Sequence, residues 1–112
     1  MDSLKTLYRT VIKKIFQDYI DFMGKEEGVE FELILDTEND RYLLVEVGWQ
    51  NGYRIYGTFL HLDIINGKIW IQHDGTEDGI AYELEAADIP KENIVLAFKS
   101  LEGRKLTEYA VS

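Results

Sequence analysis

Residues 54–81 read RIYGTFLHLDIINGKIWIQHDGTEDGIA, and this stretch decides the fold. Asn66-Gly67 separates two runs of alternating, largely β-branched residues, which predicts a β-hairpin closed by a two-residue turn. The second run ends in HDGTEDG, residues 73–79, the densest group of chemically versatile side chains in the chain. If the protein has a biochemical activity, we expect its site to include residues 73–79.

Two further strands precede this hairpin. Residues 29–36, VEFELILD, alternate between apolar and acidic side chains, which is typical of a half-buried strand. Residues 41–49, RYLLVEVGW, form the next strand, and Asn51-Gly52 predicts a second two-residue turn. The sequence therefore predicts a four-stranded antiparallel meander with its strands in chain order.

A long amphipathic helix is predicted over residues 3–23. Apolar side chains recur there at three- and four-residue steps, the Ser3 hydroxyl can cap the first turn, and Gly24 can end the helix. The apolar stripe is wider than packing on one sheet face requires. Either the helix is buried on two sides within the domain, or its excess width meets a partner chain.

A second helix is predicted after the fourth strand. Thr76 is its expected N-cap, with Glu77 and Asp78 in the first turn, and the helix runs to about Asp88, before Pro90. Residues 94–98, IVLAF, form either a buried strand or a last helical turn, and the C-terminal segment ends in a strand-like Tyr-Ala-Val. The fold class is α+β, with residues 1–112 in a single domain.

Composition narrows the possible functions. The chain has 112 residues and no cysteine, which excludes disulfides and cysteine-based zinc sites. Its net charge of −9 repels DNA, so direct DNA binding by this chain alone is not expected. No apolar run is long enough to span a membrane, and no signal peptide is visible, so we expect a cytoplasmic protein that does not contact membranes.

Metal binding is one possible function, because His61, Asp63 and His73 are residue types that ligate metals. A two-residue turn at Asn66-Gly67 pairs His61 with Gln72 and Leu60 with His73. This register predicts that the two histidines lie on opposite faces of the sheet. We therefore expect no metal and no cofactor.

Catalysis finds little support in the sequence. The serines, Ser3, Ser100 and Ser112, lie near predicted helix or chain ends and outside any nucleophile motif. The strand-to-helix corner is explained structurally if Gly75 supplies a positive φ and Asp74 or Thr76 caps the helix. We therefore expect that the protein is not an enzyme. The alternative is a small hydrolase or nuclease that uses His73, Asp74 and Glu77.

Aromatic residues suggest surfaces for binding other proteins. Trp49 falls opposite Arg54 across the second turn, an arrangement suited to a cation–π contact. Phe59 and Trp70 are predicted to share the face of His61 and Asp63, and which sheet face the first helix covers remains open. The candidate partner-contact residues are Trp49, Arg54, Phe59, His61, Trp70, His73, Asp74 and Glu77.

The same segments carry a family resemblance. The run RIYG, then HLDI, then GKIWIQHDGTEDGIA, with LILDTENDRYLLVEVGW before it and IPKENIVLAF after it, resembles the XisI-like proteins, the fdxN element excision controlling factors. The resemblance covers nearly the whole chain, while the tail LEGRKLTEYAVS departs somewhat from the family's usual ending. It implies a small α+β domain and offers no catalytic residues to carry over.

The resemblance also implies partners. XisI-like proteins act in developmental excision of a DNA element in cyanobacteria, beside a recombinase and an XisH-type companion that resembles a nuclease. We therefore expect a non-catalytic accessory protein that contacts the XisH-type companion and forms a homo-oligomer, a dimer. An antitoxin-like inhibitor of the nuclease-like companion is a variant of the same hypothesis.

Overall fold

A computed structural model describes residues 3–23 and 27–112, and it confirms the α+β class. The helix α1 spans Ser3–Met23, and the meander follows as β1 (Val29–Asp36), β2 (Arg41–Gln50), β3 (Tyr53–Ile65) and β4 (Lys68–Asp74). Then come α2 (Ile80–Ala86), a 3₁₀ turn (Lys91–Asn93), β5 (Ile94–Val95) and α3 (Leu101–Lys105). The expected helix end at Gly24 lies outside the described residues. Within the described ranges, no helix is long and apolar enough to cross a membrane.

The sheet has five strands in the order β1-β2-β3-β4-β5. The four predicted strands pair antiparallel in chain order, and β5 adds a short parallel strand beside β4 that the meander prediction did not include. Ile94 and Val95 thus resolve the ambiguity of the segment IVLAF in favour of a buried strand. Ala110 bridges to Val95, so the strand-like C-terminus makes a single β-bridge.

Both longer helices cover the same face of the sheet. The buried side of α1, which includes Ile12 and Phe16, packs against the sheet face that carries Leu60 and Ile71. The Tyr8 hydroxyl donates to the carbonyl of Gly67, which places the first half of α1 over the β3–β4 hairpin. The core side chains shared by α1, α2 and the sheet are Tyr8, Ile12, Ile15, Phe16, Tyr42, Leu44, Leu60, Leu62, Ile64, Ile69, Ile71, Ile80, Ala81 and Leu84.

Two β-bulges in β3 and β4 change the predicted register. Opposite β2, Leu44 pairs with Leu60 and Val45 with Thr58, so Phe59 is an extra residue. Such a bulge interrupts the alternation of side chains along the strand, so Phe59 and Leu60 both point to the helix side of the sheet. The prediction that Phe59 shares a face with Trp70 is therefore wrong.

Phe59 packs on the helix side of the sheet instead. Its ring meets the rings of Tyr19 and Phe31 edge-on, with centroids 6.0 and 5.6 Å away. These contacts account for the bulge, because they require Phe59 to point toward α1.

Asp40 fixes α1 to the β1–β2 turn. Its buried carboxylate accepts hydrogen bonds from Arg9 Nε (2.9 Å) and the Tyr42 hydroxyl (2.7 Å), and Lys5 Nζ lies 3.0 Å from its other oxygen. Burial alone would raise the pKa of Asp40, but the hydrogen bonds from Tyr42, Lys5 and Arg9 together hold the pKa below its usual value. The ionised carboxylate therefore stabilises the docked helix.

Replacing Asp40 with Asn tests this anchor. Asn suits the positive φ of 53° at this position but removes the charge, so D40N should lower the free energy of unfolding at pH 7 by about 1–3 kcal/mol. Because the native pKa is lowered, the contribution is present above about pH 4 and is lost as the pH falls through the native value. The difference between the two proteins in urea unfolding should therefore shrink in acid.

The control is D18N, which removes an exposed ion pair with Lys14 on the same helix. It should leave the free energy of unfolding nearly unchanged. A D40N protein as stable as the wild type at pH 7 would show that Asp40 does not anchor α1.

Candidate protein-interaction surfaces

The face of the sheet opposite α1 and α2, here called the outer face, is open over β1, β2 and most of β3. Alternation along the strands and the observed pairing place its side chains. Glu30 and Glu32 lie on it near the sheet edge. The larger outer-face side chains are Ile34, Leu43, Val45, Val47, Trp49, Arg54, Tyr56, His61, Asp63 and Trp70.

Trp49, Arg54 and Tyr56 form an aromatic cluster near the β2–β3 turn. The pairing of Trp49 with Arg54 is as predicted. The Arg54 guanidinium carbon lies 5.5 Å from the Trp49 ring centroid and 5.8 Å from that of Tyr56, which confirms the predicted cation–π contact and adds a second ring. The two rings are 59% and 73% exposed, so a large apolar area at this turn faces solvent.

Tyr56 was not among the predicted contact residues. The pairing of Val47 with Tyr56 follows from the same two-residue turn that pairs Trp49 with Arg54. The register therefore contained the information needed to place Tyr56 beside Arg54.

A polar network occupies the centre of the outer face. Nε2 of His61 donates to Asp63 Oδ1 at 2.8 Å, and Nε2 of Gln72 donates to Asp63 Oδ2 at 3.2 Å. Asp63 is 8% exposed, so its two partners satisfy a nearly buried carboxylate. The network orients the imidazole of His61 on an open sheet surface.

The second bulge corrects the predicted positions of the histidines. His61 pairs with His73 and Leu62 with Ile71, which leaves Gln72 as the extra residue. Cross-strand partners share a face, so the prediction of opposite faces for the two histidines is wrong. The described residues nevertheless contain no group of three or more His, Asp or Glu side chains that could hold a metal ion.

Trp70 lies at the covered end of the outer face. The guanidinium of Arg104 stacks on its ring at 5.6 Å and donates to the carbonyls of Ala97 and Val111. The C-terminal segment thus covers this end, and Trp70 is less available to a partner than Trp49. Among the described residues, its indole N–H is buried without a hydrogen-bond acceptor.

The strand-to-helix corner is held by Asp74. Its carboxylate accepts hydrogen bonds from the Thr76 amide (3.0 Å), the Thr76 hydroxyl (2.6 Å) and the Ile80 amide (2.9 Å). Asp74 therefore supplies the capping interaction at the start of α2, from six residues upstream, and its oxygens are committed to the loop.

Three details of the predicted corner are wrong. The helix begins at Ile80 with Gly79 as its N-cap, so Thr76 is not the cap and Glu77 and Asp78 precede the first turn. Thr76 instead accepts a hydrogen bond from the Gly79 amide. Gly79 has the positive φ, 96°, while Gly75 is needed because a Cβ there would lie 2.7 Å from the Phe59 carbonyl oxygen.

A cavity of about 590 Å³ lies beside this corner, between it and the end of α1. Phe59 and Glu77 line it, whereas His73 and Asp74 do not. Its full lining is Asp18, Tyr19, Phe22, Met23, Phe59, Gly75, Thr76, Glu77, Asp78 and Glu83. Burial, together with a hydrogen bond to Glu83, raises the pKa of Tyr19 to about 12, so the phenol stays protonated at neutral pH.

Seven of the eight predicted contact residues are thus divided between two surfaces, and the eighth, Asp74, is held in the loop by its hydrogen bonds. Trp49, Arg54 and His61 lie on the open outer face, Trp70 at its covered end, and His73 is exposed opposite His61. Phe59 and Glu77 belong to the cavity. Of the serines, Ser100 caps α3, because its hydroxyl accepts a hydrogen bond from the Gly103 amide.

These elements define a small α+β fold with one helix-covered and one open sheet face, and solved structures share the fold. A XisI-like protein from Anabaena variabilis is 38% identical, with 96% of this chain and 99% of that chain covered and a TM-score of 0.89. The fdxN element excision controlling factor XisI from Anabaena variabilis is 37% identical, with 97% and 99% covered and a TM-score of 0.84. A comparison with curated proteins finds no match.

The family model described as XisI protein matches residues 1–111. The chain belongs to the XisI protein family, as its sequence resemblance implied.

Asp74 and Glu77 should separate in their effects on stability. D74A removes three hydrogen bonds from the corner and should lower the free energy of unfolding by about 1–3 kcal/mol. E77A truncates an exposed side chain and should change it by less than about 0.5 kcal/mol. Thermal and urea unfolding measure both, and equal effects would contradict the structural role of Asp74.

Proposed function

We propose that this protein is a non-catalytic accessory factor that controls excision of a DNA element by binding an XisH-type companion. The observation that carries the proposal is the open outer face with its Trp49–Arg54–Tyr56 cluster, in a chain 37% identical to a protein named an excision controlling factor. Binding, rather than chemistry, is the activity that such a face supports.

The outer face has the composition of a protein-binding surface. Trp, Tyr and Arg are the residues that most often dominate binding free energies, and here they are joined in one cluster. The half-buried Val47 and Leu43 continue the apolar surface toward the middle of the sheet, and Val45 between them is buried. A partner that covers the cluster would remove two exposed aromatic rings from water.

The charge of the chain supports a protein partner rather than DNA as the direct ligand. At −9, the domain attracts basic surfaces and repels the phosphate backbone. We therefore place the accessory factor on the companion, in the cytoplasm, with any DNA contact made by other components. Self-association into a dimer remains a prediction, which the mass of the chain alone in light scattering measures.

The alternative of a hydrolase at His73, Asp74 and Glu77 is less well supported. Asp74 is occupied by three hydrogen bonds that hold the loop, and neither His73 nor Asp74 lines the neighbouring cavity. A catalytic carboxylate must be free to act on substrate, whereas both oxygens of Asp74 already accept hydrogen bonds from the loop.

Replacing Trp49 with Ala tests the proposal by titration calorimetry with the purified companion. The wild-type chain should bind, and W49A should raise the Kd by about thirtyfold, corresponding to about 2 kcal/mol for a hot-spot tryptophan. R54A should also weaken binding, because it removes the cation that stacks on both rings.

Y82A is the matched control, because Tyr82 is an aromatic residue 67% exposed on α2, on the other side of the sheet. It should bind like the wild type. No complex between the wild-type chain and the companion at micromolar concentration would refute the proposed function.

A further inference from the structure

We propose that the free edge of β1 pairs with an extended segment of the companion that carries Lys or Arg at alternate positions. The inference rests on the proposed function, and it assigns the partner contact to a particular strand. Within the described part of the chain, β1 is the last strand of the sheet, and β2 occupies only one of its two sides.

The hydrogen-bonding groups of this edge can be identified from the register. The Trp49 amide donates to the Gly28 carbonyl at 2.9 Å, which makes residues 28 and 49 a hydrogen-bonded pair. Such pairs alternate along antiparallel strands, so every second residue of β1 bonds to β2. The residues whose N–H and C=O groups bond to β2 are Glu30, Glu32, Ile34 and Asp36. The residues whose N–H and C=O groups face the free edge are Val29, Phe31, Leu33 and Leu35.

The side chains on the two faces of β1 determine which side chains a docked strand must carry. Glu30 and Glu32 stand on the outer face, while Phe31, Leu33 and Leu35 lie half-buried on the helix side. Cross-strand neighbours approach within about 5 Å, so opposite charges favour pairing and like charges oppose it. A segment with basic residues in one row and apolar residues in the other matches both rows.

The β1 strand of a second copy of the chain is not a suitable partner for this edge. A continuous sheet across a two-fold axis pairs β1 with itself antiparallel, outer row against outer row. Every such register that pairs five or more residues sets at least one acidic residue opposite another, because Glu30, Glu32 and Asp36 occupy three of the four outer positions. The same acids that exclude self-pairing attract a basic strand.

The edge also adjoins the open outer face. Glu32 pairs with Val45 and Ile34 with Leu43, so a strand added to β1 extends the same surface that carries the aromatic cluster. One partner can therefore occupy the face and the edge together. The competing account is that the glutamates only protect the edge from aggregation.

Charge reversal at the edge tests the assignment in the full chain. E32K should raise the Kd for the companion by about tenfold, since it turns an attraction into a repulsion. E92K makes the same change of charge on an exposed residue in the 3₁₀ turn before β5, at the opposite edge of the sheet, and should bind like the wild type.

L33P tests the backbone contact. The Leu33 amide faces the free edge, so a proline there removes no hydrogen bond to β2 but denies one to a docked strand. It should raise the Kd by about tenfold.

Amide hydrogen exchange by NMR on the wild-type chain gives a readout that needs no variant. Companion binding should slow the amides of Phe31, Leu33 and Leu35 more than those of Glu32 and Ile34, which already bond to β2. This alternation is specific to strand addition.

The outcomes separate the two proposals. If the wild type binds the companion but E32K equals E92K and the alternating protection is absent, the edge assignment is wrong and the accessory function stands. If the wild type does not bind the companion, both are wrong. Unchanged affinity of E32K together with aggregation of that variant would show that the acids act only as edge protection.

Discussion

The Asp40 carboxylate, held by Arg9, Lys5 and Tyr42, is the interaction on which the architecture depends. It joins α1 to the turn between β1 and β2, and it does so with a nearly buried charge that only its partners stabilise. With α1 fixed there, α1 and α2 cover one face of the sheet. On the opposite face, the C-terminal segment covers the end at Trp70 through Arg104.

This one-sided packing leaves a sheet surface available for binding, as the proposed function requires. The polar groups that suggested chemistry in the sequence are used to build the fold: Asp74 closes the corner before α2, and Asp63 receives His61 and Gln72 on the sheet. What remains exposed is aromatic and apolar on the outer face and acidic along β1. A surface of this kind suits the binding role proposed for this member of the XisI protein family.

The sequence was sufficient where local chemistry determines structure. Asn51-Gly52 and Asn66-Gly67 predicted two hairpin turns, both residues Asn51 and Asn66 adopt positive φ, and the first turn correctly set Trp49 against Arg54. The periodicity of α1 predicted its bounds from Ser3 to Met23. In each case the determining residues are neighbours in the chain.

The errors have a common physical origin in tertiary contacts. Phe59 bulges because it packs against Tyr19 and Phe31, which are remote in sequence. The shift at Gln72 reversed the predicted faces of the histidines, since one extra residue changes the side of every later side chain. The start of α2 at Ile80 likewise depends on the hydrogen bond to Asp74, and β5 depends on its pairing with β4. The short helix α3 depends on the Ser100 cap. Hydrophobic periodicity reveals none of these contacts.

The claim that the outer face is the binding surface is tested most directly by hydroxyl-radical footprinting, because exposed aromatic side chains are readily oxidised. The full chain is oxidised alone and with a saturating amount of the XisH-type companion, and each residue is quantified by mass spectrometry. The account predicts that Trp49 and Tyr56 become protected while Phe22 and Tyr82, exposed on the helices, do not. Protection of Phe22 and Tyr82 with Trp49 and Tyr56 unchanged would contradict it.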